Sequence, residues 1–171
     1  MVAPNLIDKA VLFNPAGLGN FSLSIKNLYY NILPIVSSTR KNVQKFLDKV
    51  VLCGENHNIP ERDKNLLIDY QLHALMRFND KSDKPAKGIP AKELSRITSK
   101  IYLVLGDKDI LFPYRKSAGV AQITLKNLQE IYVLKNTAHG IELSKEASGI
   151  LHKIMKKHSA KKTDLPAEII V

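Results

Sequence analysis

The sequence has no tryptophan, and Cys53 is its single cysteine. One thiol cannot close an internal disulfide, so the fold must rest on packing, and a reducing compartment suits it. No apolar run reaches the ~18 residues that a membrane-spanning helix needs. The opening Met1-Val2-Ala3-Pro4-Asn5 has neither the basic nor the apolar stretch of a secretory leader. The expectation is a soluble, cytoplasmic protein. No spacing of His, Cys, Asp and Glu suits a metal ion. Gly17-Leu18-Gly19 lacks the third glycine of a phosphate-binding loop and reads as a turn. No cofactor is expected.

Charge of one sign is also scarce. Lys and Arg number 26 against 16 Asp and Glu, a formal charge of +10. Such an excess can serve an anionic partner. Here the lysines are interleaved with acids, and the one dense run is Lys156-Lys157-His158-Ser159-Ala160-Lys161-Lys162. That run reads as a solvated helix end and tail, its lysines complementing the helix dipole. With no zinc-finger spacing and no glycine-aromatic RNA-binding motif, a nucleic-acid partner is not expected.

What is present falls into segments. Residues 1–19 hold a first core strand, Lys9-Ala10-Val11-Leu12-Phe13, closed by Asn14-Pro15-Ala16-Gly17. A continuous apolar run suits a parallel strand covered on both faces. Residues 20–96 are mostly helical. Apolar residues recur at three- and four-residue spacing: Leu23, Leu28, Ile32 and Ile35, then Val43, Phe46, Leu47, Val50 and Val51. A further helix is expected from about Pro60, with Leu66, Leu67, Tyr70, Leu72, Leu75, Met76 and Phe78 as its apolar set. Gly54 would end the helix before it, and the polar stretch from Asn79 to Pro85 reads as a loop.

Residues 97–158 read as strand-helix-strand-helix: a strand over 100–105, a helix near 117–128, a strand over 130–134 and a helix near 144–157. Residues 159–171 read as a loose basic tail in which Ile169-Ile170-Val171 could pack locally. A strand-helix-strand crossover is nearly always right-handed, so its strands lie parallel and their C-terminal ends face the same way. Ligands bind at that end of open α/β sheets. Asp109 follows the first of these strands and His139 the second. Parallel strands lie ~4.8 Å apart, so groups just past their ends can meet. An Asp-Lys-Asp turn or one histidine is by itself often structural. Their place at the ends of successive strands is what singles out the pair.

The segment resembles the C-terminal part of the α/β-hydrolase family. That family ends a strand in Gly-x-x-Asp, often followed by an apolar residue and proline; here stands Gly106-Asp107-Lys108-Asp109-Ile110-Leu111-Phe112-Pro113. After the next crossover it has a strand, a short loop and His-Gly; here stand Asn136-Thr137-Ala138-His139-Gly140. The first strand and its Asn-Pro-Ala-Gly turn resemble the stretch that precedes the family's cap. The resemblance covers about Leu6 to Lys157 and implies a partial α/β-hydrolase fold. That is a small parallel sheet of about three strands flanked by helices, with residues 20–96 as a helical cap. It implies Asp109 as triad acid and His139 as triad base.

One element of the family is missing. Its nucleophile sits in Gly-x-Ser-x-Gly on a sharp strand-to-helix turn, and no such motif occurs in these 171 residues. The family places it ahead of the strand that corresponds to Lys9–Phe13. Ser22 and Ser24 are not on such a turn and suit a helix start. Cys53 falls in what reads as a buried helix end. His57 and His73 belong to the helical stretch, where surface or lid packing suits them; His152 and His158 lie on or after the last helix. The expectation is the C-terminal half of a serine hydrolase acting on ester, thioester or amide bonds, inactive alone. Its partner would be the missing N-terminal half, and its substrate a small hydrophobic acyl compound. The alternative is a non-catalytic module that binds a second copy of itself, or another protein, through its open sheet edge.

Overall fold

The computed structural model describes residues 6–52, 55–57, 59–77, 86–156 and 168–170. Cys53, Gly54, Phe78, the stretch from Asn79 to Pro85 and His158 lie outside them, with the expectations attached to them. The strands are β1 (Lys9–Phe13), β2 (Lys100–Gly106), β3 (Leu128–Leu134) and β4 (Glu168–Ile170). They form one sheet in the order β1-β2-β3-β4, and every pairing is parallel. The three strands expected from the apolar runs are all present. The fourth comes from the C-terminal stretch expected to be a loose tail. Its backbone pairs with Ile131–Val133 and covers the outer edge of β3.

The sheet explains its own sequence. β2 has a strand on each side and a helix over each face, and Ile101 to Gly106 are all buried. This is why it reads as an unbroken apolar run rather than an alternation. One face carries Ile101, Leu103, Leu105, Ile131 and Val133 against Ala118, Ala121 and Leu125. Ala118 and Ala121 belong to helix α5 (Tyr114–Thr124). The other face carries Tyr102, Val104, Tyr132 and Leu134 against Ala147, Ile150 and Ile154 of a helix over Ala147–Lys156. Each crossover thus places its helix on the opposite face from the next. All five residues of β1 are only half-buried, because no strand pairs with its outer side among the described residues.

Between β1 and β2 lies a helical insertion: α1 (Ile25–Val36), α2 (Arg40–Phe46), α3 (Glu61–Arg77) and the short α4 (Ala91–Leu94). A wide helical turn, Leu47–Val51, continues α2. The helix over Ala147–Lys156 is then α6. Ser24 caps α1 by accepting from the Asn27 N–H at 3.3 Å, and Thr39 caps α2 in the same way. Val43, Leu47 and Val50 are buried, as their spacing predicts. No described helix is long and apolar enough to cross a membrane.

Two helix faces differ from the sequence expectation. In α1 the buried residues are Asn27 and Pro34, while Ile32 and Ile35 are exposed, as is Leu23 just before the helix. In α3 the buried residue is Ile68, with Leu67, Leu72 and Leu75 packed beside it, whereas Leu66, Tyr70 and Met76 face solvent. Apolar residues are dense in both helices, so three- and four-residue spacing fits more than one face. Only the neighbours choose between them. The helix after β2 also starts earlier than expected, at Tyr114, because Pro113 opens it.

The end of β2 tolerates no side chain. A Cβ on Gly106 would lie 2.4 Å from the Thr137 carbonyl oxygen and 2.7 Å from that of Ala138. Both obstacles are backbone, so Gly106→Ala must displace the loop after β3 and is expected to lower stability by about 3 kcal/mol. Gly119→Ala in α5 meets nothing within 4 Å and should be neutral or stabilising by up to about 1 kcal/mol. Urea unfolding midpoints of the two variants give the comparison; similar values would show that the loop yields freely.

Candidate active site

Asp109 lies in a turn that closes β2, its N–H donating to the Gly106 carbonyl at 3.2 Å. Its side chain is fully buried. Oδ1 accepts from the Leu111 N–H at 2.7 Å and the Phe112 N–H at 3.1 Å, the local turn that aspartate favours. Oδ2 faces Nδ1 of His139 at 2.9 Å. Two backbone donors hold one oxygen and the imidazole the other, so the carboxyl acts as an acceptor on both sides. Nδ1 therefore carries the proton, and Nε2 keeps its lone pair. Nε2 has no hydrogen-bond partner among the described residues, and the His139 side chain is 31% exposed. Such an imidazole, oriented by a buried carboxylate, can take a proton at Nε2. The structure thus brings together Asp109 and His139, 30 residues apart in sequence.

The two loops are also tied through their backbones. The Lys108 N–H donates to the Thr137 carbonyl at 2.9 Å, and the Thr137 N–H donates to Asp107 Oδ1 at 3.3 Å. Asn136 has a φ of 50°, in the left-handed region that asparagine tolerates better than most residues. That residue turns the chain out of β3 toward His139.

Sequence reasoning read Asn14 only as part of a turn, and this missed its role. Its φ is 37° and it is buried. Its Oδ1 accepts from the Gly106 N–H at 2.9 Å, and its Nδ2 donates to the carbonyls of Ala138 and His139, each at 3.0 Å. One amide thus joins the ends of β1 and β2 to the histidine loop. The signal in the sequence was an asparagine ending a buried strand, which needs hydrogen-bond partners when buried.

An apolar wall borders the imidazole. The rings of Phe112 and His139 lie 5.8 Å apart, and Phe21 meets Phe112 edge-on at 6.0 Å. Val50 and Leu111 are buried in the same cluster, with Tyr30 and Phe46 packed against it. Of the other residues considered from the sequence, Ser24 is the α1 cap, and His73 and His152 are exposed. Ser22 contributes its backbone, donating to the Leu111 carbonyl at 2.9 Å. No described cluster of His, Cys, Asp and Glu could hold a metal ion. A cleft of about 630 Å³ lies in the insertion, lined by Asp48, Leu52, His57 and Lys64 among others.

This arrangement of strands and alternating helices recurs in solved structures. A hydrolase of 2-hydroxy-6-oxo-6-phenylhexa-2,4-dienoate from Rhodococcus sp. superposes with a TM-score of 0.69 at 18% identity, over 92% of this chain and 57% of that one. The chain has a partial α/β-hydrolase fold. A carboxylesterase from Bacillus subtilis matches with a TM-score of 0.65 at 17% identity, over 94% of this chain and 54% of that one. The naproxen esterase of the same organism matches with a TM-score of 0.65 at 20% identity, over 90% and 52%. The chain therefore spans little more than half the length of these similar proteins. No protein-family model matches it, and no curated protein matches it in sequence.

Asn14→Ala would leave the Gly106 N–H and the Ala138 carbonyl without their buried partner, while the His139 carbonyl keeps the Ile141 N–H at 2.9 Å, and at ~1–3 kcal/mol per unsatisfied group a loss of at least about 2 kcal/mol is expected. Asn14→Asp should cost more, because a carboxylate oxygen would replace the donor that faces two carbonyls. Unfolding free energies of the two variants provide the check, and a milder Asp variant would contradict the hydrogen-bond assignment.

Burial holds His57 below the ordinary histidine range, against the opposing pull of the Gly140 carbonyl, Glu142 and Glu146. The folded chain then binds fewer protons at this site than the unfolded chain. Its contribution is complete above the unfolded value of about 6.5 and is lost as pH falls from there toward the folded value. The urea midpoint should fall more between pH 7 and pH 5 in the natural chain than in His57→Gln. Parallel pH profiles would rule the coupling out.

Proposed function

We propose that the chain supplies the acid and the general base of a serine hydrolase. The observation that carries this reading is the 2.9 Å contact between Asp109 Oδ2 and His139 Nδ1, with Nε2 unpartnered among the described residues at the carboxyl end of a parallel sheet. In the proposed reaction a serine Oγ attacks the carbonyl carbon of an ester, thioester or amide. Nε2 takes the hydroxyl proton as the new C–O bond forms, and Asp109 stabilises the imidazolium. Nε2 then returns the proton to the leaving group as its bond to carbon breaks. A water molecule repeats the sequence and frees the acyl group. The wall of Phe112, Phe21 and Leu111 beside His139 favours a hydrophobic acyl portion.

The serine and its oxyanion hole come from a second segment in this proposal. The 171 residues contain no Gly-x-Ser-x-Gly, and the chain spans 52–60% of similar hydrolase structures. The outer side of β1 has no strand partner among the described residues, which suits a parallel strand leading into a nucleophile turn. The helical insertion then serves as the cap. By itself the chain lacks both a nucleophile and the donors that stabilise a tetrahedral intermediate, and is inactive. The open side of β1 also favours a second reading, a non-catalytic module that pairs with a copy of itself or with another protein.

Co-expression with a hydrolase N-terminal half carrying Gly-x-Ser-x-Gly tests the first reading. A soluble complex should hydrolyse p-nitrophenyl esters, and His139→Ala should reduce kcat by at least about a thousandfold. A well-formed complex that is inactive on a broad ester panel would remove the hydrolase reading. A stable inactive homodimer of the chain alone would favour the module.

A further inference from the structure

The loop that carries His139 is held from two sides. Core groups hold one side, through Asn14 and Asp107. The helical insertion holds the other. The His139 N–H donates to the Val50 carbonyl at 3.2 Å and the Gly140 N–H to the Val51 carbonyl at 3.0 Å. His57 Nε2 lies 3.0 Å from the Gly140 carbonyl oxygen. Asn56 Nδ2 donates to Thr137 Oγ1 at 2.9 Å, and the Asn56 carbonyl accepts from the Lys145 N–H at 3.3 Å. Both backbone groups of Gly140 thus bond to the insertion, its carbonyl sharing His57 with the Leu143 N–H, which donates to it at 3.0 Å. The approach is close: a Cβ on Gly140 would lie 2.7 Å from Val51 Cγ1 and 3.0 Å from the Val51 oxygen.

The chemistry at His57 follows from its partner. A carbonyl oxygen only accepts, so Nε2 carries the proton. Nδ1 is buried with no hydrogen-bond partner among the described residues, so a second proton there would have nothing among them to bond. His57 is therefore the neutral Nε2–H tautomer, a single donor aimed at the peptide that follows His139.

We infer that His57 is a positioning residue, whose Nε2–H holds the Gly140 carbonyl and so fixes the direction in which His139 presents Nε2. The side chain of His139 has one hydrogen bond among the described residues, to Asp109, which sets Nδ1 but does not by itself fix the ring about that contact. The main chain at residues 139–140 removes the remaining freedom. Val50, Val51, Asn56 and His57 of the insertion then form a clamp, and a shift of these residues moves the imidazole. This rests on the reading of His139 as a general base, but its test requires no turnover.

The full chain, labelled uniformly with 15N, supplies the measurement. Its readouts are the His139 Nδ1–H resonance, the His139 tautomer and the hydrogen exchange of the Gly140 amide. His57→Leu should abolish the protected Nδ1–H signal and speed Gly140 exchange at least about tenfold, with exchange in β2 and β3 unchanged. His57→Gln, whose amide nitrogen can donate at the reach of Nε2, should restore both to within about twofold of the natural chain. Should the leucine variant not fold, His57→Asn replaces it, since its donor falls short of the carbonyl. Natural values in the leucine or asparagine variant would overturn the inference, as would equal loss in the glutamine variant. An inactive reconstituted hydrolase with an intact His57 effect would instead count against the proposed function alone.

Discussion

Three strand-end segments meet at the buried amide of Asn14, and the geometry of the site depends on that junction. The Gly106 N–H and the carbonyls of Ala138 and His139 all converge on one side chain. Loops cannot normally be buried, because their backbone groups lack partners. Here a single amide supplies them, and the two loops cross-link through Lys108, Thr137 and Asp107. The consequence is a carboxylate with no solvent exposure, set beside an imidazole that retains some. The difference matters chemically. A buried acid resists competition from water for Nδ1, while an accessible Nε2 can reach a substrate-side proton.

Packing on the sheet is uneven, and the unevenness bears on function. β2 is enclosed on every side, and β4 covers the outer edge of β3. β1 has a neighbour on one side only among the described residues, although its sequence is that of an interior strand. The α1 helix likewise shows solvent an apolar stripe, with Ile25 87% and Val36 78% exposed. Apolar surface of this kind on a folded chain usually meets a partner. Both features fit a chain that spans little more than half of similar hydrolase structures.

The fold was largely legible because its strands are buried on both faces. Ile101 to Leu105 and Ile131 to Leu134 have no polar face, so their apolar runs announce interior parallel strands. The candidate pair was legible because a crossover fixes which loops share an end of the sheet. The helical insertion was less so. In α1 and α3 apolar residues crowd several faces, and Ile68 is buried where Leu66 and Tyr70 are not. Asn14 and His57 were read as a turn residue and a packing residue, because their partners lie about 90 to 125 positions away for Asn14 and 83 for His57.

The sequence alone therefore determined the three parallel strands within residues 9–134, the class of the fold, and the placement of Asp109 and His139 on loops at the same end of the sheet. These follow from local periodicity and the handedness of a chain of L-amino acids. Only the tertiary structure decided how those loops are held. The roles of Asn14, Val50, Val51 and His57 arise from hydrogen bonds to peptide groups distant in the chain. A peptide N–H or carbonyl is the same at every residue, so no pattern of side chains records which of them will meet.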